Sequence, residues 1–198
     1  MIALIDYKAG NLTSVRKAFG ALGAQLFTPE RADELASANA IVVPGVGHFA
    51  ATKTLGPEWI EAILARVGEG RPLLGICLGM QWLFEGSEES PELPGLGLLN
   101  GRCYRLPADN VKIPHVGWNS LAFQHRKSIV DDVSNDAQVY FTHSYVAPVT
   151  GDTVAVTSHG SPFASVVQRG HVAGVQFHPE KSGDVGLQVL RNFLSMVF

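Results

Sequence analysis

Four short apolar runs in the first part of the chain constrain its fold more than any other feature. Ile2 to Ile5, Ala24 to Phe27, Ala40 to Val43 and Leu73 to Cys77 each read as a buried strand. Helical stripes lie between them: Leu12, Val15, Phe19 and Leu22 form one, and Ile60, Ile63, Leu64 and Val67 another. Asn11 suits the N-cap of the first and Gly23 its end. Thr28-Pro29 opens a further helix running to about Ser37, with proline at its first position. Leu78 to Phe84 reads as the helix that the fourth strand feeds. This alternation predicts an α/β fold with a largely parallel central sheet and helices on both faces. With 198 residues, 46% of them hydrophobic, the chain can fill one sizeable core, and a single domain over 1–198 is expected.

The later half changes character. "GRCYRL", "VGWNSLAF", "QVYFTH", "TVAVTS", "FASVVQ" and "VAGVQF" read as strands joined by turns, with a hairpin around Arg169-Gly170-His171. They extend the sheet into a mixed one. Val185, Val189, Leu190, Phe193, Leu194 and Val197 give a closing amphipathic helix.

The net charge of −3 leaves no basic footprint, so nucleic acid is not an expected partner. No apolar run reaches membrane-span length, and no membrane association is expected. "MIALIDYKAG" starts like a strand, not a secretory leader. The two cysteines, Cys77 and Cys103, stand apart, which suits a reducing, cytoplasmic setting. Neither sits in a thiolate pair at zinc spacing, so no metal is expected.

Gly75-Ile76-Cys77-Leu78-Gly79 has the form G-x-C-x-G, directly after a strand and before a helix. The serine version makes a sharp turn that presents a nucleophile at the top of a sheet. The helix start favours a thiolate, and the Leu78 N–H can help hold an oxyanion. The alternative is a small core residue with glycine neighbours. A thiol nucleophile also needs an imidazole, and the imidazole needs a group to orient it. Of seven histidines, His178 stands out, ending "VAGVQF" and opening "HPE". Pro179 favours extended backbone at His178, where residues two apart share a side. Glu180 can then hold one ring nitrogen while the other serves Cys77.

With these residues in place, the chain resembles the class I (triad) glutamine amidotransferases, of flavodoxin-like three-layer fold. The resemblance implies a Cys77–His178–Glu180 triad, a γ-glutamyl thioester on Cys77 and no cofactor. "IDYKAGNLTSVRKAF", "VPGVGHF", "CLGMQWLFEGSEE", "IPHVGWN" and "YFTHSY" are together similar to one branch, the glutaminase subunits of imidazole glycerol phosphate synthase. Lys8, Trp82 and Thr142 depart from that branch, at no catalytic position.

The branch implies a role for each segment. Gly45 and Val46, in "PGVG", belong to an oxyanion strand whose peptide flips on activation, with Leu78 as the second donor. Gln81, Glu89, Ser144 and Tyr145 line the L-glutamine pocket, with Glu89 meeting the substrate ammonium; a solvated acidic loop is the other reading of Glu89. His143 reads as a structural neighbour of that pocket. Asn11, Trp118 and Lys181 fall at a partner interface, although Trp118 also suits a buried core position. The implied partner is a (β/α)8-barrel cyclase that receives ammonia and turns a phosphoribulosyl-formimino ribotide into imidazole glycerol phosphate and AICAR in histidine biosynthesis. The competing readings are a glutaminase of the anthranilate or aminodeoxychorismate type, a non-catalytic regulatory subunit, and a simple thiol stress protein.

Overall fold

The structure, a computed structural model, describes residues 1–108 and 111–197. The four early apolar runs form β1 (Ile2–Leu4), β2 (Leu26–Phe27), β3 (Ala40–Val43) and β4 (Leu73–Ile76). The helical stripes become α1 (Leu12–Ala21), α2 (Pro57–Gly68) and α3 (Leu78–Trp82). Asn11 caps α1 by accepting the Ser14 N–H at 3.3 Å. In α2 proline takes the first position, where its missing N–H costs nothing.

Beyond α3 come β5 (Gly86–Ser87), β6 (Ser90–Pro94), β7 (Arg102–Arg105), β8 (His115–Ser120) and β9 (Ala122–Phe123). They are followed by β10 (Gln138–His143), β11 (Tyr145–Val146), β12 (Thr153–His159), β13 (Ser161–Arg169) and β14 (Val172–Val175). Helix α4 (Gly183–Ser195) closes the described chain.

The main sheet has eight strands in the order β2-β1-β3-β4-β14-β13-β12-β9. Its first five strands run parallel, and the β13–β14 hairpin turns the rest antiparallel. The turn of that hairpin is Gly170-His171, and Gly170 takes φ +57°, the left-handed region a two-residue turn demands. Side chains alternate across the sheet. Ile2, Leu4, Ala40, Val42, Leu74 and Ile76 join Val15 and Phe19 of α1 and Leu190 and Phe193 of α4 in one core. Ala3, Ile5, Ile41, Val43 and Leu73 join Ile63 and Val67 of α2 in the other. The layers are therefore helix, sheet, helix, as the alternation requires.

Two smaller sheets stand over the end of β4: the pair β10-β8, and β11-β7-β5-β6. The sequence gives no clear sign of β5, β6 or β11: β5 and β11 have two residues each and carry no period, and β6, "SPELP", holds two prolines. The expected helix from Pro29 is instead a 3₁₀ turn, Ala32–Ser37, which starts after Arg31 without a side-chain cap. Its buried side is Leu35 alone, too little apolar face to hold a longer α-helix in place.

Close backbone packing sets α3 against the sheet. A Cβ on Gly79 would lie 1.8 Å from the Val43 carbonyl oxygen, and one on Gly75 2.6 Å from the Gly79 oxygen. Gly20, in α1, has open space around its Cα. Gly79→Ala is therefore expected to cost about 3 kcal/mol or more through backbone displacement. Gly20→Ala should be neutral or add up to about 1 kcal/mol of helix stability. Thermal and urea unfolding of the two variants check this contrast.

Candidate active site

The chain leaves β4 and turns at Cys77 into α3. Cys77 carries φ +53°, ψ −108°, a backbone region an L-residue enters only under constraint. The constraint comes from both sides: the Cys77 N–H bonds the Val175 carbonyl at 2.8 Å, and its own carbonyl accepts the Gln81 N–H at 3.1 Å. The sulfur is thereby lifted out of the strand toward a cleft. That cleft, about 220 Å³, is lined by Cys77, Leu78, Gln81, Glu89, Ser144 and Tyr145, with Gly47, Pro114, Thr142 and His143. The other thiol, Cys103, is fully buried, and burial pushes its pKa far up.

His178 follows the end of β14, the neighbour of β4, so the register brings the two distant segments side by side. Its N–H bonds the Tyr140 carbonyl at 2.9 Å, and its carbonyl accepts the Ser182 hydroxyl at 2.7 Å. Nδ1 lies 2.9 Å from Glu180 Oε1, and both side chains are almost entirely buried. Glu180 does not reach the ring by strand alternation, as the sequence suggested. Pro179–Lys181 is a 3₁₀ turn, closed by the Lys181 N–H on the His178 carbonyl, and it folds the carboxylate back beneath the imidazole.

His178 Nε2 has no hydrogen-bond partner among the described residues. Burial, the largest single effect, pushes the imidazole toward neutrality. The charge and closeness of the Cys77 sulfur, followed by Glu180, outweigh it and raise the pKa to about 10. The contribution of this group to stability is thus in full below the ordinary value of 6.5 and is lost as pH rises through about 10.

Both expected oxyanion donors are engaged elsewhere. The Val46 N–H bonds the Ala9 carbonyl at 3.0 Å, and the Leu78 N–H points at the Gly45 carbonyl, 3.4 Å away. Gly45 packs so tightly that a Cβ there would lie 2.1 Å from the Tyr7 hydroxyl. That hydroxyl is kept protonated by burial and donates to the Pro44 carbonyl at 2.7 Å.

On the pocket wall, Glu89 Oε2 accepts the Phe49 N–H at 2.7 Å, so the carboxylate is fixed at the cleft and is not a freely solvated loop group. Gln81 Nε2 donates to the Tyr145 carbonyl at 2.9 Å. Ser144 links β10 to β11, its carbonyl accepting the Leu106 N–H. Trp118 is 58% exposed and not a core residue. It meets Tyr140 edge-on at 6.0 Å, and Lys181 Nζ lies 5.8 Å from the same ring. Asn11 is exposed at the start of α1, which packs on the turn carrying Lys181.

The sequence reading missed Gln176 and Tyr7. Gln176 is completely buried, with Nε2 3.6 Å from the Cys77 sulfur. Its signal was present: one polar residue inside "VAGVQF", two places before His178 and hence on the same side.

A strained thiol at a strand–helix turn, an imidazole held by a carboxylate, and a polar cleft beside them define a site for cysteine-dependent acyl transfer. The family model "Glutamine amidotransferase class-I" matches residues 3–197, and the chain belongs to that family. Among curated relatives, "Imidazole glycerol phosphate synthase subunit HisH" of Methanothermobacter thermautotrophicus is 41% identical over 198 residues, covering 100% of this chain and 99% of its own. The protein of the same name from Lactiplantibacillus plantarum is 45% identical over 202 residues, covering 100% and 96%. A solved structure described as a glutamine amidotransferase superposes with a TM-score of 0.78 at 22% identity, covering 100% of this chain and 99% of that one. The likeness of that structure bears on the fold alone. No helix among the described residues is long and apolar enough to cross a membrane.

Replacing Cys77 by alanine removes the strongest upward pull on His178. The imidazole pKa, followed by NMR titration, should fall well below about 10 in Cys77→Ala. An unchanged midpoint would mean that the sulfur and ring are not coupled.

Proposed function

We propose that this chain is the glutaminase subunit of an imidazole glycerol phosphate synthase. Its reaction is hydrolysis of L-glutamine to glutamate and ammonia, for delivery to a cyclase subunit. The observation that carries the reading is the buried His178–Glu180 pair set against Cys77, whose sulfur lines the cleft, from segments a hundred positions apart. Full-length similarity to proteins named as subunits of that synthase supports the choice of branch. It favours this branch over glutaminases of the anthranilate type, and the complete triad disfavours a catalytically dead regulatory subunit.

In this reading the Cys77 thiolate attacks the glutamine carboxamide carbon, and the carbonyl oxygen becomes an oxyanion. His178 Nε2–H passes its proton to the departing nitrogen as the C–N bond breaks, giving ammonia and the thioester. The now neutral ring takes a proton from water, whose oxygen attacks the thioester and releases glutamate. Glu180 holds Nδ1–H and so keeps Nε2 aimed at the sulfur throughout. Gln81, Glu89, Ser144 and Tyr145 hold the amino-acid end of the substrate, Glu89 facing its ammonium.

In this reading the present arrangement is the resting one. With Val46 N–H on Ala9 and Leu78 N–H on Gly45, neither of these two donors is free for an oxyanion. Turning the Gly45–Val46 peptide would release Leu78 and present the Val46 N–H. A missing oxyanion donor lowers the rate by about a hundredfold to a thousandfold. The exposed group of Trp118, Tyr140 and Lys181, with Asn11, is proposed to receive a (β/α)8-barrel cyclase. Docking there would close a dry route for ammonia, which neutral water would otherwise protonate. A cytoplasmic setting goes with this pathway.

The test is to combine the chain with a barrel cyclase and assay glutamine hydrolysis with and without ribotide. The free chain should be slow and the ribotide-loaded complex at least about a hundredfold faster. Cys77→Ala should abolish glutamine-dependent synthesis and spare ammonia-dependent synthesis. Equal rates for the free chain and the complex, or glutaminase activity in Cys77→Ala, would overturn the proposal.

A further inference from the structure

The cleft contains a buried polar chain whose direction can be worked out from one carbonyl. The Tyr145 carbonyl oxygen can only accept, so the group of Gln81 facing it at 2.9 Å is the NH₂. That same NH₂ lies 3.2 Å from the side-chain amide of Gln176, which must therefore present its oxygen. The other end of the Gln176 amide is then an NH₂, and it faces the Cys77 sulfur at 3.6 Å. The sulfur is the only hydrogen-bond partner of that NH₂ among the described residues.

A second set of links ends on the same carbonyl. His143 Nδ1 lies 3.2 Å from the same Tyr145 carbonyl and so carries its hydrogen there. His143 Nε2 meets His115 Nδ1 at 3.1 Å, and His115 Nε2 meets the Asn119 amide nitrogen at 3.3 Å. Burial above all keeps both rings neutral, at about 3 for His143 and about 4 for His115. Each neutral ring then has one donor and one acceptor, and every link has a single consistent direction.

We infer that Gln176 is a positioning residue for the nucleophile, its buried amide NH₂ donating to the Cys77 sulfur and favouring the thiolate. Three features make it suited to this. Gln176 follows β14, whose last register pair sets Val175 beside Ile76, so Gln176 and Cys77 continue side by side. It lies two residues before His178, and both project toward the sulfur. Its oxygen is held by Gln81, so the amide cannot turn to offer the sulfur an acceptor. A buried NH₂ whose one partner is a sulfur gains more from a thiolate than from a thiol, because hydrogen bonds to ionised acceptors are the stronger. The same bond to Gln81 occupies the second hydrogen of its NH₂ and leaves the Gln81 oxygen for the pocket.

The inference rests on the reading of Cys77 as nucleophile, and the experiment separates the two. Alkylation of Cys77 by iodoacetamide, followed against pH on the intact chain, reads thiol ionisation whether or not glutamine is hydrolysed. Gln176→Met keeps the length and removes the donor without adding a charge; Gln176→Leu also shortens the side chain. Each should move the alkylation midpoint upward by about one pH unit or more, near tenfold in thiolate population at a fixed pH below it. A purely structural residue would change stability and leave the midpoint in place. In the unsubstituted chain, the Gln176 side-chain amide proton should shift in NMR with the same midpoint, and should not titrate in Cys77→Ala. This second reading stands even where a substituted chain folds poorly. An alkylation midpoint unmoved by both substitutions, or a Gln176 resonance flat through the thiol titration, would overturn the inference while the glutaminase proposal remained.

Discussion

The close approach of the Gly79 backbone to the Val43 carbonyl is the contact on which the site depends. It lets α3 begin directly above β3 and β4, with no side chain at Gly79 to hold the two apart. Only then can the chain turn through one residue, Cys77, in the left-handed region, with its N–H still bonded to β14. The strain of that residue is on the order of 1–3 kcal/mol, and the two-sided packing offsets it. Because β14 is the parallel neighbour of β4, the same contact decides which distant segment meets the sulfur.

Around that sulfur the protein places two kinds of polar group with opposite tendencies. His178 is buried but faces negative charge from both Cys77 and Glu180, and it is held protonated. His115 and His143 are buried facing other histidines, a backbone carbonyl and an amide, and they are held neutral. In the proposed reaction the first arrangement supplies a mobile proton where bonds are made and broken. The second supplies a fixed set of donors and acceptors that leads through Tyr145 and Gln81 to the cleft. Separation of the two sets by environment, not by residue type, gives one site both proton transfer and a constant pocket wall.

Much of this was legible in the sequence. The parallel core followed from four apolar runs and the stripes between them, because buried strands and amphipathic helices leave distinct periods. The pairing of Cys77 with His178 was legible because each lies in a short pattern, G-x-C-x-G and H-P-E, that has little purpose alone. The 3₁₀ turn under Glu180 was not, since proline after His178 suits an extended strand end and a tight turn equally well. Nor was most of the four-stranded sheet that carries Tyr145: only β7 reads as a strand, β5 and β11 being too short to show alternation and β6 being broken by prolines. Gln176 was hidden for another reason: a lone glutamine in an apolar strand gains meaning only when the register of β14 on β4 is known. Trp118 could be read as core or surface, and only the position of β8 at the outer face decides it.

In the proposed reading the oxyanion strand is at rest, held by contacts that include Tyr7 and Ala9, as a subunit that withholds hydrolysis until a partner docks would require. Nucleophilic attack by Cys77 is the claim on which the rest of this account stands. Its most direct test is mass spectrometry of the chain after acid quenching, during turnover of glutamine with the cyclase partner and ribotide. The account predicts a γ-glutamyl adduct on the peptide containing Cys77 and none on Cys103. Glutamate formed at full rate with an adduct elsewhere, or with no covalent species at any time, would contradict it.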